Sequence, residues 1–145
     1  MSIEEKQNFP TFQDSDTEIY PVNEKKVSEF IKQAYKSNVP IELIGSGSKK
    51  KIGKTLQCAK TLNLSKLNGI VEYFPEELYI KVKAATPIKE IEEELKKNNQ
   101  QLAFEPIDFG FLFSGQSNCG TAAGHIACNI SGPRRFQAGS VRDHL

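Results

Sequence analysis

The chain has 145 residues with 19 basic and 18 acidic side chains, and a formal net charge of +1 excludes the one-sided field of a dedicated nucleic-acid binder. Its length permits one domain, and 38% apolar against 26% charged residues lies above the disordered range and leaves material for a single modest core. At this size folding removes roughly 68–70% of the unfolded chain's surface from water, enough for independent stability when the domain is whole.

Residues 1–17 are polar and aperiodic, with Pro10 and Gln13-Asp-Ser-Asp16, and are expected to form a flexible leader. From Asn23 to Asn38 the apolar Val27, Phe30, Ile31, Ala34 and Tyr35 fall at helical spacing, Asn23 can cap the start, and Pro40 stops the chain beyond. Ile41–Ile44 reads as a short strand running straight into Gly45-Ser-Gly-Ser48. Ile70–Phe74 and Leu78–Ala84 are β-branched, aromatic or alternating, and read as two strands joined by Pro75-Glu-Glu77. Thr86 is placed to cap a second helix with Pro87 at its first position, and Ile88, Ile91 and Leu95 line one face until Asn98-Asn99. Leu102–Phe104 reads as a further short strand. The pattern predicts an α+β fold with an α/β-like beginning and helices packed against one sheet.

Beyond Pro106 the character changes, with Gly110, Gly115, Gly120, Gly124, Gly132 and Gly139 arriving every few residues among small side chains. All three arginines, Arg134, Arg135 and Arg142, lie in this last stretch, where their planar forks suit an anion or a partner's carboxylate. The chain ends at Asp143-His-Leu145 with no capping or closing element in the pattern, as expected of a protein whose natural form continues.

Two segments carry the candidate chemistry. Gly45-Ser-Gly-Ser48 with Lys49 follows a strand, so its backbone N–H groups and hydroxyls can surround a phosphate with no Cβ in the way. It is not a dinucleotide fingerprint, which needs glycine where Lys50 stands, nor a nucleoside-triphosphate loop, because Ser48 occupies a required glycine position. The plain alternative is a flexible turn with solvated lysines at 49–51. Gly120-Thr-Ala-Ala-Gly124 leading into His125-Ile-Ala-Cys-Asn-Ile-Ser-Gly132 reads as a turn and then a thin helix. Its N-terminus favours an anion by ~0.3–1 kcal/mol when exposed, and the plain alternative is a tightly packed Ala/Gly helix. Together the two segments can hold the two phosphates of a dinucleotide from opposite sides.

Other chemistry finds little support. Cys58, Cys119 and Cys128 cannot all pair and form no C-x-x-C, which points to a reducing compartment. His125 sits between two of them at Cys-x5-His-x2-Cys, a spacing that matches no common ligand set, so no metal is expected. Glu92-Glu-Glu94 reads as a solvated helix face. The start Met1–Lys6 lacks the apolar core of a signal peptide and no apolar run approaches the ~20 residues that span a bilayer, so a cytoplasmic chain is expected.

The order of motifs is more telling than any one of them. Ile41-Glu-Leu-Ile-Gly-Ser-Gly-Ser-Lys49 with Gly53, Glu72-Tyr-Phe-Pro-Glu-Glu-Leu78, Ala84-Ala-Thr-Pro87, Leu102-Ala-Phe-Glu-Pro106, Ser131-Gly-Pro-Arg-Arg135 and Ala138-Gly-Ser-Val-Arg-Asp143 together resemble the FAD-binding domain of the vanillyl-alcohol oxidase and p-cresol methylhydroxylase superfamily. Within it the likeness is to the smaller flavin subunits of bacterial glycolate oxidases, from about Ile19 to the last residue.

The resemblance implies a two-lobed, PCMH-type FAD-binding domain that is C-terminally incomplete, with a small lobe at about 18–66 and a larger one beginning at about 67 and running through 145. FAD is expected between the lobes, held without a covalent bond because Lys49 stands near where covalent members carry histidine. Gly45, Ser46, Gly47, Ser48 and Lys49 are expected at the pyrophosphate, and Gly120, Thr121, Gly124, Ser131 and Gly132 to complete the cradle. Arg135 and Arg142 are expected to brace the loop or a partner. Three positions depart from the glycine usual in such proteins: Ala85, Ala123 and Asn129. Asparagine tolerates left-handed backbone, while the two alanines fit at negative φ but crowd a close cofactor.

By the same resemblance the activity is hydride transfer from a 2-hydroxy acid to FAD in a glycolate-oxidase-like complex. Its partners are a sister flavoprotein subunit and an iron-sulfur subunit, no nucleic acid takes part, and the complex sits peripherally on the inner face of the cytoplasmic membrane. No residue here is identified as the catalytic base. Alternatives are a D-lactate or aldonolactone type of flavin oxidase, a non-catalytic scaffolding subunit, and an RNA- or nucleotide-binding module using the lysines of 49–54. Alone, the 145 residues are expected to retain FAD weakly or not at all and to show no turnover.

Overall fold

The computed structural model describes residues 17–54, 56–115, 117 and 119–145. The expected leader lies outside the described residues except for Thr17, whose carbonyl accepts the Thr61 N–H at 2.7 Å. A short strand β1 (Glu18–Ile19) leads to helix α1 (Glu24–Lys36) and strand β2 (Ile41–Ile44). Helix α1 starts as its sequence predicts, with Asn23 extended and its side chain accepting the Lys26 N–H at 2.9 Å. It ends at Ser37, and Asn38 takes a left-handed turn at φ 51 before Pro40. Phe30 and Ala34 are buried, whereas Tyr35, despite its helical spacing, is 87% exposed.

Strand β3 (Lys60–Asn63) was not anticipated from sequence. It lies between the other two in the order β1-β3-β2, both pairings parallel, with Ile19 and Leu43 each opposite Leu62. Its residues Lys60-Thr-Leu-Asn63 carry one buried apolar side chain, so its identity as a strand comes from hydrogen-bonding two neighbours and not from a hydrophobic run. Ile19, Phe30 and Leu62 form the core under α1, flanked by Val27, Ile41 and Leu64.

A second sheet pairs β4 (Ile70–Phe74) with β5 (Tyr79–Val82) in antiparallel fashion through a 3-10 turn at Pro75–Glu77 and a left-handed Leu78. Its inner residues Tyr73, Ile80 and Val82 pack on Ile88, Ile91 and Leu95 of helix α2 (Ile88–Lys96), with Ala122 in the same cluster. The described residues therefore hold two sheets, each with its own helix, where one was expected. The fold is mixed helix and strand, as expected.

Three further details differ from expectation. Thr86 does not cap α2, because its fully buried hydroxyl donates within the β4–β5 end of the fold, lying 2.8 Å from the Lys83 carbonyl and 3.0 Å from that of Gly69, and accepts the Gly69 N–H at 3.0 Å. Pro87 is the N-cap of α2, with no side-chain cap. Leu102–Phe104 is a turn segment and not a strand: Leu102 joins the α2 cluster and Phe104 is buried beside the His144 ring. Short helices α3 (Gly110–Ser114), α4 (Ala122–Cys128) and α5 (Arg135–Ala138) follow. The last residues do carry a capped element, a 3-10 turn at Val141–His144 closed by a reciprocal Ser140–Asp143 capping box. Among the described residues no helix is long and apolar enough to cross a membrane.

Candidate functional site

Strand β2 delivers the first loop. Gly47 is left-handed at φ +73 with open space where a Cβ would stand, a conformation that favours glycine. Two tight turns follow, Lys50 N–H to the Gly47 carbonyl and Ile52 N–H to that of Lys49, at 3.0 and 2.9 Å. Gly45 is required for a different reason: its φ is ordinary, but an added Cβ would lie 2.9 Å from Thr121 Oγ1. Ser48 and Lys49 are half-buried.

The second segment reaches the same place. The Ser46 hydroxyl donates to the Cys119 carbonyl, 73 residues away in sequence. Thr121, buried, stands between the two glycines, since a Cβ on Gly124 would lie 3.0 Å from its Oγ1 and 3.6 Å from Lys49 Nζ. Among the described residues the Thr121 hydroxyl has no hydrogen-bond partner. Helix α4 begins at Ala122, earlier than the sequence suggests, and Thr121 is its N-cap. Its first two amides are already used, Ala122 N–H donating to the Thr86 carbonyl and Ala123 N–H to that of Ala84, both at 2.9 Å. The helix N-terminus is thus docked on the Ala84–Pro87 turn, and the first-turn amide without a backbone partner of this kind is that of Gly124.

Lys49 is the electrostatic centre of the junction. Burial holds its ammonium below the ordinary lysine value of 10.5, because desolvation penalises charge, while the negative character of Cys128 and Asp108 partly offsets the effect. It makes no ion pair among the described residues, and its other close neighbour is the Phe109 ring, 6.0 Å to the centroid. The neighbouring lysines are occupied: Lys50 pairs with Glu42 at 2.9 Å, and Lys51 donates to the Phe113 carbonyl at 3.0 Å.

Of the ten expected site residues, Gly45, Ser46, Lys49, Thr121 and Gly124 are in mutual contact directly or through Cys119, and Gly47 and Ser48 belong to the same loop. Gly120 has a packing role, since a Cβ there would overlap the His125 ring. Ser131 and Gly132 lie elsewhere on the second segment: the Ser131 hydroxyl accepts the Val141 N–H at 3.0 Å, and Gly132 packs on Glu105. His125 is 2% exposed, with Nδ1 3.0 Å from the Thr121 carbonyl and Nε2 2.9 Å from that of Ile107, a structural arrangement that leaves neither nitrogen for a metal. Asn129 is left-handed at φ 46, and Ala85 and Ala123 are not. Arg134 and Arg142 lie 3.8 Å from Glu105 and Asp143, and Arg135 covers the Phe136 ring.

Sequence reasoning missed Asp108 and Phe109, which flank Lys49. One signal was available: Asp108 is the single acidic residue between Pro106 and Arg142. The donor set, an ammonium and a hydroxyl with no partner among the described residues together with glycine backbone, suits a dinucleotide's diphosphate, and Asp108 is the one acidic group beside it.

Comparison with known proteins agrees with this chemistry. Residues 16–145 match the family model described as an FAD binding domain. The chain is 36% identical to glycolate oxidase subunit GlcE of Escherichia coli K12 over 117 residues, 81% of this chain and 31% of that protein, so it spans about a third of the relative's length. Among solved structures, an alkyldihydroxyacetonephosphate synthase is similar with a TM-score of 0.68 at 20% identity, over 87% of this chain and 23% of that one. A p-cresol methylhydroxylase with substrate bound is similar with a TM-score of 0.54 at 19% identity, over 77% and 21%. These structural likenesses establish the shared fold. With every described residue inside the family match and two glycine segments closing on a lysine that makes no ion pair among the described residues, the chain belongs to the FAD binding domain family, and FAD is its cofactor.

Proposed function

We propose that the chain is the FAD-holding portion of a glycolate-oxidase-like subunit that accepts hydride from a 2-hydroxy acid. It binds the cofactor without a covalent bond, its lobes are residues 18–66 and 67–145, and it assembles with a sister flavoprotein and an iron-sulfur subunit at the inner face of the cytoplasmic membrane. The observation that carries the reading is the half-buried Lys49 ammonium, unpaired among the described residues, at the meeting of the two segments. A cation kept partly out of water, with no ion pair among the described residues and only the field of Cys128 and Asp108 to offset its burial, is unfavourable until an anion joins it. The Gly47 turn and the Thr121 hydroxyl supply uncharged donors around the same point, so the arrangement orients a diphosphate as well as neutralising it. FAD itself supplies the hydride acceptor, and the protein's part is to fix its position and electrostatics. The similarity to glycolate oxidase subunit GlcE supports the substrate class.

Fluorescence titration tests this directly. FAD binds the chain at equilibrium with an affinity that falls as salt rises, and riboflavin, which lacks the diphosphate, does not displace it at equal concentration. Equal affinity for the two flavins removes the basis of the reading.

A further inference from the structure

Glu105 is a left-handed residue at φ 49 immediately before Pro106. Both circumstances are unfavourable, since an L side chain crowds its own backbone at positive φ and the proline ring restricts the residue before it. Such conformations persist where surrounding contacts impose them; here the Glu105 N–H reaches the Leu102 carbonyl at 3.5 Å, and the remaining contacts belong to one turn. Oε2 of Glu105 accepts the Arg134 N–H at 3.1 Å, Oε1 lies 3.8 Å from Arg134 Nε, and the Gly132 N–H reaches the Phe104 and Glu105 carbonyls, each at 3.0 Å. A Cβ at position 132 would stand 2.7 Å from both Cβ and Oε2 of Glu105, so glycine at 132 and glutamate at 105 are matched surfaces.

The strap that leaves Glu105 runs to the candidate site. Ile107 offers its carbonyl to the His125 ring of α4, Asp108, whose Oδ1 accepts the Gly110 N–H at 2.9 Å, acts on Lys49 through its charge, and the Phe109 ring lies by the Lys49 ammonium. At its far end Asn129 and Ser131 are held by the last turn, Asn129 Oδ1 accepting the Arg142 N–H at 3.2 Å.

We propose that Glu105 is a positioning residue of the flavin site: by clamping the Gly132–Arg134 turn it forces the left-handed bend that aims Asp108 and Phe109 at Lys49. It touches neither the diphosphate loop nor Lys49 and acts only through the strap. The inference rests on the FAD reading of the site.

The test compares the chain with its Glu105→Gln, Glu105→Gly, Gly132→Ala and Glu105→Gly/Gly132→Ala variants by FAD titration and thermal melting. Glu105→Gln keeps an acceptor and binds FAD as the wild type does. Glu105→Gly frees the bend and releases the clamp, so FAD affinity falls about tenfold while the melting temperature changes little, relief at φ 49 offsetting the lost exposed contacts. Gly132→Ala weakens FAD binding alone and adds a smaller loss in the Glu105→Gly background, where Cβ and Oε2 are gone and only the carbonyl of residue 105, at 3.2 Å, still crowds the new methyl. Wild-type affinity in Glu105→Gly, or affinity and stability falling together in all variants, overturns the positioning role. A wild-type chain that binds riboflavin as tightly as FAD overturns the diphosphate reading of the site, and the proposal with it.

Discussion

Replacing Gly45 by alanine tests whether the two segments meet as described. The backbone there is not left-handed, so alanine suffers no conformational penalty and restricts the unfolded chain, a gain of about 0.4–1 kcal/mol where space allows. Space does not allow it: the new methyl would stand 2.9 Å from Thr121 Oγ1 and 3.4 Å from its Cγ2, in a buried side chain. Overpacking of this kind costs about 1–3 kcal/mol, leaving a net loss of roughly 1–2 kcal/mol after the entropic gain. With a urea m-value of about 1–3 kcal/mol per molar for a domain of this size, the midpoint falls by roughly 0.3–2 M. Thr121→Ala removes both obstructing atoms and leaves Cβ at 3.6 Å, an ordinary contact, and no cap is lost because the Thr121 side chain makes no capping bond. Gly45→Ala and Thr121→Ala are therefore coupled by about 1–2 kcal/mol in a double-mutant cycle. Additive effects, or a Gly45→Ala chain as stable as the wild type, refute the contact.

Three further outcomes follow from the geometry. Lys49→Met stabilises the free chain at neutral pH and weakens FAD binding: in the wild type, between the lowered Lys49 value and 10.5, the unfolded chain holds more protons than the folded one, so stability rises with pH across that window, and the variant loses this rise. Urea melts at neutral and alkaline pH check it, and a variant less stable at neutral pH contradicts the sign. Thr86→Val leaves the Gly69 and Lys83 groups without their buried partner and costs about 1–3 kcal/mol; because the Thr86 carbonyl docks α4, FAD titration weakens as well, and neutrality in both assays tells against it. Asn129→Ala strains a left-handed position by about 1–2 kcal/mol, while Asn129→Gly costs less, a ranking that thermal melts read directly.

Helix α1 and strand β2 were legible because the local signals agree with the packing: a capping asparagine, an apolar stripe, and a run of four apolar-edged residues ending in glycine. Strand β3 was not, since its pattern holds only Leu62 and the strand exists through partners at residues 18–19 and 41–44. Leu102–Phe104 shows the converse, apolar residues at strand spacing that turn to two different neighbours. At the site the glycines marked the loops, but not why each is glycine: Gly47 answers to its own φ, Gly45 to Thr121, Gly120 to His125 and Gly132 to Glu105. Such pairings are tertiary and leave no trace in spacing. Asp108 and Phe109 were missed for the same reason, because their relation to Lys49 is made by the bend at Glu105.

The Ser46–Cys119 bond joins residues 73 positions apart. On a ribosome adding ~5–20 residues per second, the later half emerges ~4–15 s after the earlier one. The first sheet needs nothing beyond Asn63, so it can close while the lysine at its loop still faces water. The desolvated cation is therefore created late, by the arrival of residues 119–124, and nascent chains stalled between these two stages should carry a folded first sheet with no nucleotide affinity.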